Sequence, residues 1–161
     1  MQANIRPAGK ADIGALIDLE TRSFPSDRLS RRSLGRLIAS PSADVLVAEV
    51  GGTPAGYAVV LFRQGSARAR LYSIAVEPAF RGIGRQLLVA AEMAAVRRGR
   101  RSMRLEVRSD NIPAINLYER SAYGAFAEVS EYYADGATAI RYEKSLAMPS
   151  ETARLGGTVA A

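Results

Sequence analysis

Two glycines and two arginines stand together where an apolar run gives way to a leucine-rich run. Residues 71–88 read LYSIAVEPAFRGIGRQLL, with Arg81, Gly82, Ile83, Gly84 and Arg85 at the junction. The first turn of a helix presents unpaired N–H groups and the positive end of the helix dipole, and glycine lets a ligand approach them. This spacing predicts a site for a phosphate group at residues 81–85. A glycine-rich turn without a ligand is the alternative.

The same segment excludes two familiar nucleotide-binding loops. It lacks the Lys-Ser/Thr pair that completes the P-loop of a nucleoside triphosphatase. It also lacks three glycines in the order Gly-x-Gly-x-x-Gly, so a dinucleotide-binding fold is poorly supported.

A second set of reactive side chains lies in LEVRSDNIPAINLYERSAY, at Glu106, Asn111 and Tyr118. The neighbours of Glu106 are apolar and alternate with it, so the carboxylate faces the opposite side of a strand. Asn111 precedes Tyr118 by about two helical turns, so both can point at one ligand. A carboxylate can take up a proton and a phenol can donate one. The alternatives are an exposed strand residue, a helix cap and a packed aromatic.

Composition limits the chemistry that these residues can support. The chain has 161 residues, no cysteine and no histidine. Thiol nucleophiles, imidazole bases, disulfides and nearly all zinc sites are therefore excluded, and no acidic cluster suggests another metal site. Acid–base chemistry is left to Glu, Asp, Tyr, Lys or water. The net charge of +6 suits an anionic partner, although a solvated arginine-rich surface explains it equally well.

Hydrophobic periodicity predicts a single α/β or α+β domain over residues 1–146. The predicted order is one strand, two helices, three strands, a helix, a strand, a helix and two strands, and Asp12 is a candidate N-cap for the first helix. Residues 44–62 form a candidate hairpin around Gly51 and Gly52. The small, polar residues 147–161 predict a disordered tail. With no apolar leader and no long apolar run, a cytoplasmic location is expected.

The stretch LYSIAVEPAFRGIGRQLL resembles motif A of the GNAT superfamily of N-acetyltransferases. The resemblance implies a mixed, mostly antiparallel sheet of six to seven strands, splayed between strands 4 and 5, with helices on both faces. It also implies acetyl-CoA as cosubstrate without a metal. Ile74, Ala75 and Val76 would line the pantetheine arm, and residues 81–85 would hold the pyrophosphate. The loop after Pro78 is about two residues shorter than the family pattern, which predicts fewer amide contacts.

The second set resembles the ribosomal-protein-alanine N-acetyltransferase branch of that family. In that branch a Leu-Glu-Val-Arg strand is followed by an Asn and by a Leu-Tyr-Glu at the spacing of Glu106, Asn111 and Tyr118. The resemblance implies that Glu106 is the base, that Tyr118 is the acid and that Asn111 contacts the cofactor. Ala122 departs from the family's usual glycine, and a strained or shifted helix end is expected there.

By the same resemblance the acceptor enters opposite the cofactor, near Phe24 on one side and near Tyr132 and Tyr133 on the other. The two tyrosines could instead simply complete a strand. The expected activity is direct acetyl transfer, in a ternary complex, to a primary amine, and foremost to a protein N-terminal α-amine. The alternatives are a small-molecule amine acetyltransferase and a non-catalytic binding module, for instance one that docks on RNA. Apart from that alternative, contact with nucleic acid is expected only through a ribosomal partner. The chain is expected to be a monomer or homodimer.

Overall fold

A seven-stranded sheet organises residues 2–146, which are the part of the chain that this computed structural model describes. Its strand order is β1-β2-β3-β4-β5-β7-β6, and every neighbouring pair is antiparallel except β4 with β5. The elements are β1 (Asn4–Pro7), a 3-10 turn (Lys10–Asp12), α1 (Ile13–Ser23), α2 (Arg31–Ala39), β2 (Ala43–Val50), β3 (Thr53–Phe62), β4 (Arg68–Val76), α3 (Ile83–Arg97), β5 (Ser102–Arg108), α4 (Ile112–Arg120), β6 (Gly124–Val129) and β7 (Ala139–Ser145). The predicted fold class and element order are confirmed.

Each face of the sheet is covered by its own helices. Because side chains alternate along a strand, β2 and β3 send residues to both faces. On one face α3 packs its Leu87, Leu88 and Ala91 stripe against the sheet. On the other face Leu16 of α1 and Leu34 of α2 pack against the opposite set of strand residues. The hydrophobic patterns of the helices therefore place α3 on one side and α1 and α2 on the other.

The parallel strands β4 and β5 stay paired over only part of their length. Arg68 to Leu71 pair with Ser102 to Leu105, and there the ladder ends. Beyond it β4 stays hydrogen-bonded to β3 as far as Val76, while β5 stays paired with β7 as far as Arg108. The two strands thus diverge, which confirms the predicted splay and leaves one edge of each strand open.

Gly56 lets α3 lie close to the sheet beside this opening. A Cβ at Gly56 would lie 2.9 Å from the Leu87 Cδ1 atom and 3.0 Å from the Ala75 carbonyl oxygen. Both distances are shorter than a carbon atom tolerates, so a larger residue would push the start of α3 away from β4. The hairpin turn needs glycine for another reason, because Gly51 and Gly52 have φ of 60° and 79°.

Asp12 occupies the N-cap position of α1, as predicted, but its side chain makes no capping hydrogen bond. Its carboxylate accepts hydrogen bonds from the Gly9 N–H at 2.7 Å and from two Arg6 nitrogens at 2.7 and 2.8 Å. Arg6 supplies a charged, bidentate partner, which is stronger than a neutral amide at a helix end. The carboxylate therefore joins β1 to the turn before α1.

The helix end near Ala122 keeps the usual geometry at the cost of backbone strain. Ala122 has φ of 71°, the left-handed region that an L-residue rarely adopts. Tyr123 N–H donates to the Tyr118 carbonyl and Ala122 N–H to the Glu119 carbonyl, which is the Schellman pattern. The expectation of strain is confirmed, and the helix end is not shifted. The predicted disordered tail at 147–161 lies outside the described residues.

Candidate active site

Two cavities meet at the opening between β4 and β5. The larger one, the α3 cavity, has a volume of about 870 Å³ and lies between the end of β4, the start of α3 and α4. The smaller one, the loop cavity, has a volume of about 300 Å³ and lies between the α1–α2 loop, the β6–β7 loop and the open strands. Phe24, Ile74, Asn111 and Ala114 line both cavities. A ligand in one cavity would therefore touch a ligand in the other.

The first turn of α3 forms the wall of the α3 cavity. Gly82 precedes the helix with φ of 83°, and its carbonyl accepts the Gln86 N–H. The N–H groups of the first helical residues have no such carbonyl before them. A Cβ at Gly84 would lie 3.3 Å from Leu117 Cδ2, so this glycine also allows α4 to approach. The helix end meets the requirements of an anion site.

The predicted phosphate residues divide into two groups. Gly82, Gly84 and Arg85 line the α3 cavity. Arg81 does not line it, and the Ile83 side chain is fully buried in the core. Ile83 can therefore contribute only its backbone N–H. Sequence spacing could not separate these roles, because adjacent residues of a helix point in different directions.

Basic side chains surround the α3 cavity in excess of acidic ones. Arg22, Arg85 and Arg120 line it, and Glu77 is the single carboxylate among the described residues of the lining. Arg22 and Glu77 form an ion pair of 2.8 Å. The net positive lining, with the helix N-terminus, suits a ligand that carries more than one phosphate.

Strand β4 supplies an apolar wall with an open backbone edge. Ile74, Ala75 and Val76 all line the α3 cavity. They pair with β3 on one side, while the β5 side is unpaired beyond Leu71. Free backbone N–H and C=O groups on that edge can pair with amide groups of an extended ligand.

Glu106 lies on β5 just beyond the last residue paired with β4. Its side chain is 11% exposed and lines the loop cavity. The Oε1 atom accepts hydrogen bonds from Arg70 Nη2 at 2.5 Å and from the Tyr132 hydroxyl at 3.3 Å. Arg141 Nε lies 3.8 Å from Oε2. This carboxylate is held in place by two cations and a phenol.

Tyr118 lies on α4 and lines the loop cavity, with 4% of the residue exposed. Its ring packs edge-on against Tyr123 and is tilted against Tyr142. Burial raises the pKa of Tyr118 well above its ordinary value, with a smaller contribution from Tyr133. The hydroxyl therefore keeps its proton at neutral pH, as a proton donor must.

Asn111 caps α4, which was one of its two predicted roles. Its Oδ1 accepts the Ala114 N–H at 3.3 Å, and a proline follows in the first turn of the helix. The residue also lines both cavities. The cap uses one oxygen and leaves the side-chain amide N–H₂ group to be directed elsewhere.

The aromatic residues predicted for the second ligand come together in the loop cavity. Phe24 ends α1, and Tyr132 and Tyr133 lie in the β6–β7 loop, so the alternative that they complete a strand is wrong. The two tyrosine rings pack edge-to-face at 4.9 Å. Burial raises the pKa of Tyr133 to about 12, and that of Tyr132 is also raised.

Several charged residues that line the cavities were missed from the sequence, Arg70 and Glu20 among them. Arg70 is the last but one residue of β4 that pairs with β5, and its side chain reaches Glu106. Glu20 lies on α1, is 3% exposed and lines the loop cavity. A signal for Glu20 was available, since it follows Leu16 by four positions and so falls on the buried stripe of its helix. No comparable local pattern marks Arg70.

Two general properties of residues 2–146 complete the description. No group of three or more Asp, Glu, His or Cys side chains is arranged to hold a metal ion within them. None of their helices has the length and apolar character needed to cross a membrane.

Comparison with known proteins places this geometry in context. The model of the acetyltransferase (GNAT) family matches residues 13–123. A Bacillus subtilis protein, provisionally named [ribosomal protein bS18]-alanine N-acetyltransferase, is 29% identical over 136 residues, covering 83% of this chain and 89% of that protein. The crystal structure of the ribosomal-protein-S18-alanine N-acetyltransferase from Escherichia coli superposes with a TM-score of 0.79 and 26% identity, covering 91% of this chain and 96% of that one.

A second kind of relative differs in length. The mycothiol acetyltransferase of Clavibacter michiganensis is 32% identical over 134 residues, which is 73% of this chain. The match covers 43% of that protein, so this chain corresponds to less than half of it.

Proposed function

The chain belongs to the acetyltransferase (GNAT) family and is an N-acetyltransferase, and we propose that it transfers acetyl from acetyl-CoA to the α-amine at a protein N-terminus. The observation that carries the proposal is the meeting of the two cavities beside Glu106 and Tyr118. In this assignment the α3 cavity holds acetyl-CoA and the loop cavity holds the acceptor.

The lining of the α3 cavity fits acetyl-CoA in charge and in shape. The first turn of α3, with Gly82, Gly84 and Arg85, would bind the pyrophosphate through N–H groups and positive charge. The open edge of β4 at Ile74, Ala75 and Val76 would bind the pantetheine amides. Asn111 would complete this contact from α4. The loop is shorter than the family pattern, but it still leaves the helix end beside a cavity of ligand size.

Acetyl-CoA supplies an activated thioester, and the chain's residues handle the protons. An amine attacks only after losing a proton, which Glu106 would accept directly or through a water. As the carbon–nitrogen bond forms and the carbon–sulfur bond breaks, the Tyr118 hydroxyl would donate its proton to the leaving sulfur. Attack is direct, since the chain has no cysteine to carry an acetyl group.

An α-amine demands less of the base than a lysine does. Its ordinary pKa is about 7.7–8.0, against about 10.4 for lysine. A larger share of an α-amine than of a lysine is already neutral at pH 7. Such an acceptor suits Glu106, because a carboxylate that is ion-paired with Arg70 is a weak base. The names of the Bacillus subtilis and Escherichia coli relatives, both alanine N-acetyltransferases of a ribosomal protein, point to the same acceptor class. A cytoplasmic location would follow from such an acceptor and is part of the proposal.

A small-molecule amine is the second candidate acceptor. Glu20, Asp27 and Glu106 put three carboxylates in the loop cavity, as a cationic small molecule would require. The similarity to mycothiol acetyltransferase also favours this reading. Arg70 and Arg108 in the same lining oppose it.

The test is acetylation of matched peptides, followed by mass spectrometry. One peptide begins with a free alanine, a second has that amine blocked and carries an internal lysine, and spermidine represents small amines. We expect a gain of one acetyl group on the free alanine peptide only. Turnover of spermidine but not of the peptide would select the small-molecule acceptor. No turnover together with no acetyl-CoA binding would overturn the enzyme assignment in favour of a binding module.

A further inference from the structure

Glu20 is a buried carboxylate with one oxygen that the protein leaves unused. Its Oε2 accepts the Leu29 backbone N–H at 2.6 Å, which ties the loop after α1 to the helix. Its Oε1 is buried and makes no hydrogen bond of normal geometry within residues 2–146, although the Ser73 hydroxyl is close enough to lower the pKa of the carboxyl. The residue lines the loop cavity, and only 3% of its surface is exposed. A buried oxygen of this kind lowers the stability of the protein unless a ligand or another group donates a hydrogen bond to it.

The surroundings of Glu20 compensate a carboxylate charge only in part. Burial raises the pKa of Glu20 above its ordinary value, and the Leu29 N–H, the Ser73 hydroxyl and the charge of Arg28 oppose that shift only in part. The charged and titratable side chains that line the same cavity are Asp27, Arg70, Tyr72, Glu106, Arg108, Tyr118, Tyr132 and Tyr133. Both cavity-lining arginines have carboxylate partners elsewhere, Arg70 with Glu106 and Arg108 with Asp110 and Asp135.

The two acidic groups nearest to the proposed chemistry are therefore unlike each other. Glu106 is occupied by Arg70 and Tyr132 on Oε1 and lies near Arg141 on Oε2. Glu20 forms no ion pair with the described side chains, and the charge of Arg28 acts on it only weakly. Asp27, the third carboxylate of the lining, accepts hydrogen bonds from the Ser26 hydroxyl and the Ala134 N–H. An incoming ammonium group would therefore find a buried carboxylate oxygen without a hydrogen bond at Glu20, and not at Glu106.

We propose that Glu20 Oε1 binds the amine of the acceptor, accepting a hydrogen bond from its N–H and pairing with its positive charge on entry. The assignment rests on the proposed function and adds a binding residue to it. Glu106 then receives the proton that the amine must lose, while Glu20 keeps its hydrogen bond to the nitrogen that attacks. Because the other oxygen of Glu20 holds Leu29, the same carboxylate fixes the loop and recognises the amine.

The test uses Glu20→Gln, which keeps an oxygen for Leu29 and removes the charge. Affinity for the free alanine peptide is measured by calorimetry with CoA present, next to the same peptide with its N-terminus acetylated. We expect Glu20→Gln to lower the affinity for the free peptide by about tenfold or more, the scale of a lost charge-assisted hydrogen bond. Affinity for the acetylated peptide and for acetyl-CoA should stay within about twofold. Asp18→Asn removes a charge from the exposed side of the same helix and should change neither.

Each other outcome overturns the assignment in a recognisable way. Equal binding of the free peptide by wild type and Glu20→Gln overturns it and leaves the proposed function standing. If the affinity for both peptides falls equally and the Tm is lower, Glu20 only positions the loop. If the wild-type protein neither binds nor acetylates the free peptide, the proposed acceptor fails, and the assignment of Glu20 fails with it.

Discussion

Arg70 Nη2 lies 2.5 Å from Glu106 Oε1, at the point where β4 and β5 separate. The two residues are 36 positions apart in the chain. Arg70 thereby fixes the direction of the carboxylate that we assign as the base, and the Tyr132 hydroxyl supports it from the β6–β7 loop.

Glu106→Gln should lower kcat by about 10² to 10⁴, the usual contribution of a general base. Arg70→Met should lower kcat by about tenfold, because the carboxylate loses its orienting partner. Combined, the two changes should be no worse than Glu106→Gln alone, since residues in contact do not act independently. Steady-state kinetics of the four proteins measures this coupling. Additive losses would show that Arg70 acts apart from Glu106, and Glu143→Gln on neighbouring β7 is the control.

Tyr118→Phe should lower kcat by about 10², within the range for a lost general acid, with acetyl-CoA affinity changed less than about twofold. Because burial raises the pKa of Tyr118, the wild-type rate should not fall through loss of this proton below about pH 10. Kinetics against pH and calorimetry measure both. Tyr123→Phe is the matched control, since its hydroxyl bonds to Glu92 at 2.8 Å and lines neither cavity. Normal turnover by Tyr118→Phe would remove it from the mechanism.

Gly84→Glu should abolish acetyl-CoA binding in calorimetry. The new side chain would begin 3.3 Å from Leu117 Cδ2 and bring negative charge to the wall of the α3 cavity. Gly124→Glu, where a Cβ meets nothing within 4 Å, should bind as wild type does, in the micromolar range. Absence of wild-type binding at millimolar acetyl-CoA would mean that the short loop no longer holds the cofactor.

Ala122→Gly should stabilise the protein. The left-handed conformation at φ 71° costs an L-residue about 1–2 kcal/mol, and part of this gain is offset by the flexibility of glycine in the unfolded chain. The net gain should be about 0.5–1 kcal/mol, seen as a Tm higher by roughly 2 °C. Ala125→Gly, on the exposed strand β6, should instead lower Tm. A lower Tm for Ala122→Gly would contradict the assigned strain.

Asp12→Asn should destabilise the protein by about 1–2 kcal/mol at pH 7, the scale of charged hydrogen bonds between a buried carboxylate and a partly exposed guanidinium. The Arg6 guanidinium lowers the pKa of Asp12, so its ionised form stabilises the fold above the unfolded-state pKa near 3.9. That stabilisation is lost as the pH falls through the lower pKa of the folded state. The free energy of unfolding of wild type and of Asp12→Asn is measured with urea at pH 7 and pH 3. The difference between the two proteins should be smaller at pH 3. Asp18→Asn, at an exposed position, should have the free energy of unfolding of the wild type at both pH values.

The sequence by itself determined the elements and the places where reactive residues enter them. Hydrophobic patterning is a local property, so the stripe of α3 and the apolar strands of the β2–β3 hairpin were readable without coordinates. The cap at Asn111 and the strain at Ala122 were readable for the same reason, because both depend on residues within one helical turn. The glycines at 82 and 84 marked the helix end that lines the α3 cavity.

Only the tertiary structure decided which charges meet. Arg70 reaches Glu106 because β4 and β5 pair in one register and then diverge, and the register of distant strands leaves no local trace in the chain. Asp12 is at the N-cap of α1, but its carboxylate bonds to Arg6, on a different element, and not to the helix N–H groups. Glu20 became distinctive through burial beside a cavity that four separate segments enclose. Desolvation and Coulomb energies depend on distance in space, so the electrostatics of the site exist only once the chain is folded.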